Sequence, residues 1–284
     1  MLKKIFFAAA LLLASELIAK PVVIASIAPV EYLAKAVGGD KIEVQSLAKG
    51  DVHSYEPKPN DMKAVAKARI FIAAGLEFEE AWIPRFKASA KNLVVVKSDA
   101  KIAKLKEERG EQAEHDEKHE AHADPHVWLN PMLAITMARN ISDALIDMDK
   151  ANKDFYLENF QKLMNDLLAF DESAKESLAG LKNRKFVVYH PAWGYFAAHY
   201  DLEQISIERS GKEPKIDEMA STLKMIKDEN IKVIFADPNR SQKSAQVLAS
   251  QTGAKVELLD PLGYNLLENL KIAVRAIKDA NSPK

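Results

Sequence analysis

From Asp149 the chain runs without proline or glycine as far as Gly180, and Tyr156, Phe160, Leu163, Leu167, Phe170, Ala174 and Leu178 recur along it at three- and four-residue steps. That spacing lays one apolar stripe down a helix. The helix is longer than the three to four turns usual in globular proteins. At mid-chain it predicts a spine with a lobe at each end.

Both flanks alternate between strand and helix. Before the spine, short apolar runs at 21–27, 41–47, 69–75 and 92–96 read as strands. Helices are expected at 29–39, from about Asp61 to Lys67 with Asn60 as cap, near 79–90, and from Pro131 to Lys150. After the spine, strands are expected at 185–190, 203–208, 232–237 and 255–260, with helices near 191–199, 216–229, 241–252 and 266–279. Such alternation implies mostly parallel sheets, so the fold class is α/β with two Rossmann-like lobes, 20–148 and 181–284, joined by residues 149–180. The loop 50–61 offers no helix around Pro57 and Pro59. Residues 101–124 are rich in charge and poor in large apolar side chains, and read as a mobile surface insertion.

Residues 1–19 have the form of a secretory signal: Lys3 and Lys4, an apolar run from Ile5 to Ala14, and Ala19 as cleavage residue. The run is too short to span a bilayer. Cysteine is absent from all 284 residues, so disulfides are excluded and any metal must be held by histidine, carboxylate or water. Without a cysteine to carry lipid, an exported protein of this kind is expected free in a periplasm. The net charge of −1 gives no basic field for nucleic acid.

Four of the seven histidines, His115, His119, His122 and His126, fall within twelve positions. The first three lie in a solvated run that would bind metal weakly. His126 lies instead in DPHVWLNP (124–131), between a proline and two large apolar residues. His53 follows the strand 41–47, while His190, Asp237 and Asp260 each end a strand. Ligands of parallel sheets bind outside the carboxyl ends of the strands. His53, His126 and His190 with a carboxylate would suit four-coordinate Zn2+, whereas a set richer in carboxylates would have pointed to Mn2+. Plainer readings stand beside this one. His53 could sit in an exposed loop, His190 could be a core histidine, and Asp237 and Asp260, each before a proline, could be turn residues, which for Asp237 is the preferred reading. His199 reads as structural, and Trp128, Trp193 and Tyr195 as packing. A zinc hydrolase is a rival, since three histidines and a water can make a nucleophile. No general base, HExxH or nucleophile elbow accompanies them, so the chain does not read as an enzyme.

Taken in order, GDVHSYEPKPND, DPHVWLNP, VVYHPAWGYFA, the GKEP of 211–214 and LLDPLG resemble the metal-binding proteins of ABC importers for zinc and manganese, the cluster A-I solute-binding type. The match is nearest the periplasmic zinc-uptake group and runs from about residue 21 to residue 279. The resemblance implies two α/β lobes joined by a rigid helix, with the metal in the cleft between them. It implies His53, His126 and His190 as ligands, with Asp260 as the carboxylate that some members use fourth. It implies a monomer that captures Zn2+ and delivers it to an inner-membrane ABC permease. Histidine at 190, where manganese-type members tend to carry glutamate, favours zinc; a manganese or iron receptor of the same fold is the alternative. The disulfide of some zinc members has no counterpart here. Because imidazoles bind metal in their neutral form, affinity is expected to fall as pH drops toward ~6.5.

Overall fold

The computed structural model describes residues 20–106, 123–208 and 216–281. The signal segment, most of the 101–124 insertion with His115, His119 and His122, and the GKEP motif lie outside the described residues.

The first half holds β1 (Val22–Ala25), β2 (Glu43–Ser46), β3 (Ile70–Ala73) and β4 (Val94–Lys97) in one parallel sheet ordered β2-β1-β3-β4. The second half repeats the plan with β5 (Lys185–Val188), β6 (Glu203–Ser206), β7 (Val233–Ala236) and β8 (Lys255–Leu258), ordered β6-β5-β7-β8. β3 and β7 are buried along their whole length. Their unbroken apolar runs follow from helices covering both faces of a parallel sheet. Strand order reverses between β1 and β3, and again between β5 and β7. A crevice opens at the carboxyl ends of the strands at such switch points.

The spine is preceded by α4 (Pro131–Met148), started by Asn130, whose Oδ1 accepts from the backbone N–H of Met132 and Leu133. A 3-10 turn at Lys150–Asn152 leads into α5 (Lys153–Ala179), whose 27 residues span about 40 Å at the helical rise of 1.5 Å per residue. Asp149 Oδ2 accepts from Tyr156 Oη at 3.0 Å and from Asn152 Nδ2 at 2.7 Å, fixing the corner between the two helices. All seven residues of the expected stripe are buried. They join an apolar core that runs from β1 and α1 (Ala28–Gly38) through α3 (Glu77–Ser89), α4 and α5 to α9 (Leu266–Asn281). A smaller cluster lies beneath α7 (Ile216–Asp228) and α8 (Lys243–Thr252). Because one core serves both halves, a wide hinge opening would expose apolar surface at about 25 cal/mol per Å2. Among the described residues no helix is long and apolar enough to cross a membrane.

Two local expectations are corrected. Helix α2 runs Pro59–Val65, starting at a proline in the loop that was expected to hold no helix. Proline fits the first helical position because its missing N–H would have had no intrahelical partner. Asp61, not Asn60, supplies the cap contact, its Oδ2 accepting from Lys58 N at 2.7 Å. Helix α6 (Gly194–His199) starts later than residue 191, because the HPAW segment is a tied turn. There Ala192 N donates to His190 O at 2.8 Å and Trp193 N to Gln204 Oε1 at 2.6 Å.

Candidate metal centre

His53, His126 and His190 come together from three separate segments. His53 sits in the loop between β2 and α2, with its backbone N–H donating to Asp51 Oδ1 at 3.2 Å. His126 precedes a 3-10 turn, Val127–Leu129, whose residues are all buried. His190 leaves β5 two residues past its end and is only 5% exposed. Ring centroids are 5.4 Å apart for His53 and His126, 5.0 Å for His53 and His190, and 5.3 Å for His126 and His190. Interplanar angles of 54°, 68° and 73° rule out stacking, and one ring nitrogen of each residue lies within 4.8 Å of the other two. A tetrahedral ion with bonds of about 2.1 Å needs nitrogens about 3.4 Å apart, so a small inward settling closes the set.

Carboxylates set which nitrogen faces inward. Asp124 Oδ1 accepts from both the backbone N–H and Nδ1 of His126, at 2.9 and 2.8 Å. Glu208 Oε2 lies 2.9 Å from His190 Nδ1. An imidazole that donates from Nδ1 to a carboxylate keeps its Nε2 lone pair for a metal. The Nε2 atoms of His53 and His190 are buried and lack a hydrogen-bond partner. Leaving a buried polar atom unpaired costs about 1–3 kcal/mol, which a bound cation would recover. The donor set therefore fits a dication that prefers nitrogen.

Arg240 lies beside this group, with Nη2 3.4 Å from Glu208 Oε1 and Nη1 3.8 Å from Asp51 Oδ1. Its Nη1 is also 3.1 Å from His190 Nδ1. An arginine only donates, so His190 Nδ1 cannot serve both neighbours; the shorter contact, to an anion, decides for donation to Glu208. The guanidinium thus balances a buried carboxylate and places positive charge next to the cleft. Burial lowers the His53 imidazole to about 4, with His126 and Arg240 adding to the effect. Burial likewise holds His190 well below the ordinary value, assisted by His126, His53 and Arg240. Both rings are neutral at neutral pH, the form that binds metal.

The remaining residues singled out by sequence fall as follows. Asp237 Oδ1 accepts from the backbone N–H and the Nδ2 of Asn239 at 2.8 and 3.0 Å, an Asx turn, while the residue also lines the small cavity shared with the three histidines. Asp260 stands outside the histidine group, with its Oδ1 taken up by Leu262 N at 2.8 Å and Asn239 Nδ2 at 2.7 Å. His199 joins α6 to the spine through Asp171, at 2.6 Å. Asp51, Asp124, Glu208 and Arg240 were not singled out. Asp124 stands two residues before His126 in an Asx-turn spacing, and Glu208 is the last residue of EQISIE, beyond a strand end. Both signals were readable. Arg240 had none.

Residues 23–280 match the family model described as "Zinc-uptake complex component A periplasmic". The chain belongs to this family. It is 30% identical over 279 residues to the High-affinity zinc uptake system protein ZnuA of Bacillus subtilis (strain 168), covering 91% of this chain and 86% of that one. It superposes on a crystal structure of ZnuA with a TM-score of 0.85 and 35% identity, covering 93% of this chain and all of the other. A zinc-bound ZnuA deletion mutant gives 0.86 and 34%, with 93% and 99% coverage. The resemblance read from five motifs therefore holds for the family and for its two-lobe α/β fold, and the family is one of transport receptors.

Proposed function

We propose that this chain is a periplasmic receptor that captures Zn2+ on His53, His126 and His190 and hands it to an ABC permease in the inner membrane. The observation that carries this reading is the convergence of three imidazoles, two with buried and unpartnered Nε2 atoms. Family membership and zinc-binding relatives support the choice of cargo. The all-nitrogen donor set supports zinc over manganese, which favours oxygen.

Capture is ligand exchange. The three Nε2 atoms displace water from the ion while Asp124 and Glu208 hold the rings in register. The fourth position goes to Asp260, if its carboxylate leaves the turn, or to water. No catalytic role is assigned. Among the described residues, Asp124 and Glu208 are engaged by the histidines, Asp51 by His53 N and Ser54 Oγ, and Asp237 and Asp260 by their turns, which supports reading the centre as one of capture. Each chain carries all three histidines, so a monomer suffices. The lobes are taken as 20–148 and 181–284 about the helix 149–180, with residues 1–19 directing export. Zinc-edge X-ray absorption of the loaded protein tests the site: three imidazoles and one oxygen at about 2.0–2.1 Å are expected. A shell of oxygens with one imidazole or none would overturn it.

A further inference from the structure

One oxygen atom grips two segments of the first half from the second. Tyr195, in the first turn of α6, accepts at Oη from Leu105 N at 2.8 Å and donates from Oη to Asp124 O at 2.8 Å. The same two segments are joined to each other by Asp124 N donating to Leu105 O at 2.9 Å and by an antiparallel bridge between Lys106 and Ala123. Asp124 passes the constraint inward, since its Oδ1 binds both the backbone and the ring of His126. Gly194 leaves room for the same carboxylate: a Cβ there would lie 3.1 Å from Asp124 Oδ2. Tyr195 stands only five positions after His190, and the turn between them is tied at Ala192 and Trp193.

We propose that the Tyr195 hydroxyl is a positioning residue for zinc capture, fixing Asp124, and through it the His126 imidazole, at a set distance from His190 across the boundary between the halves. This rests on the reading of the three histidines as zinc ligands. The backbone carbonyl that Tyr195 holds and the carboxylate that orients His126 belong to one residue, so movement of the first displaces the second. A hydroxyl placed for packing alone would not need both of its hydrogen bonds spent on the segment that leads into a ligand. Outer partners of metal ligands typically change affinity by about 10–100-fold.

The test is Tyr195→Phe, which keeps the ring and deletes the oxygen, made in the wild type and in the His53→Ala and His126→Ala variants. Zinc affinity is read by competition with a chromogenic chelator, and folding by thermal unfolding of the metal-free proteins. Tyr195→Phe is expected to weaken zinc about tenfold in the wild type and the His53→Ala variant, and to add nothing in the His126→Ala variant, where the residue it acts through is gone. Gly194→Ala, which crowds Asp124 but keeps the hydroxyl, is expected to show the same pattern and serves if Tyr195→Phe fails to fold. An equal loss in all three backgrounds, or no loss in the wild type, overturns the proposal and leaves the histidine site standing. Failure of the wild type to bind zinc tightly, or full affinity in His126→Ala, overturns the site and the proposal together.

Discussion

The indole Nε1 of Trp128 donates to the carbonyl oxygen of Pro261 at 2.7 Å, joining residues 133 positions apart. Trp128 is fully buried in the turn that follows His126, and Pro261 follows Asp260 at the end of β8. The bond therefore ties the segment carrying one histidine of the first half to a wall of the cleft in the second. Trp128→Phe leaves a carbonyl without its donor and is expected to destabilise the metal-free protein by about 1–3 kcal/mol. Urea unfolding measures this, and an unchanged midpoint and slope would remove the bond from the account.

Asp124 and Glu208 act through the imidazoles they hold. Asp124→Ala and Glu208→Gln should each weaken zinc about 10–100-fold with the three histidines intact. Isothermal titration against a competing chelator reads the loss. A change of less than twofold in both would mean that the rings are oriented by packing alone.

Arg240 is expected to work against retention. Its guanidinium repels a dication and neutralises Glu208, so Arg240→Gln removes a repulsion and leaves a buried carboxylate that zinc can balance. Zinc should bind about tenfold tighter, equivalent to about 1.4 kcal/mol, and leave more slowly in stopped-flow chelation. The metal-free variant should unfold at a lower temperature. Weaker zinc binding would show that the arginine chiefly holds His190 in place.

The pH profile follows from the lowered imidazoles. In the unfolded chain both histidines take protons below about 6.5. In the folded metal-free protein His53 does so only near 4, and His190 also titrates well below the ordinary value. The unfolded state thus binds more protons in that window, and stability should fall as pH drops from about 6.5 toward 4 and stay level above it. For the same reason, protons should compete with zinc for His53 and His190 only well below the pH at which free imidazoles titrate. Denaturant melts and chelator titrations at stepped pH check both. A stability that stayed flat as pH fell from about 6.5 toward 4 would contradict the burial of these rings.

Much of the fold was legible because its signals are local. The stripe from Tyr156 to Leu178 and the apolar runs of β3 and β7 each identify their element without reference to distant chain. The strand-end rule points to His190, and the motifs around His53 and His126 point to the two histidines that the fold brings beside it. The same rule selects Glu208, although EQISIE by itself reads as plain strand. The start of α2 is hidden by Pro59, which reads as a breaker but occupies the first helical position. Arg240, Tyr195 and the Trp128–Pro261 bond could not be read from spacing. Their roles depend on which segments the two sheets bring together, and no periodicity links residues so far apart. Asp260 is a strand-end carboxylate by the same rule, and its Oδ1 accepts from Leu262 N and Asn239 Nδ2, contacts that spacing alone does not show.

The central claim is that His53, His126 and His190 form one tight zinc site. The most direct measurement is a chelator-competed titration of Zn2+ and Mn2+ into the stripped, untagged mature protein and its His126→Ala variant. One tight zinc per chain is expected, not displaced by excess Mn2+ and weakened at least a hundredfold in the variant. Tight binding of Mn2+ in preference to Zn2+, or a variant that keeps wild-type affinity, would contradict it.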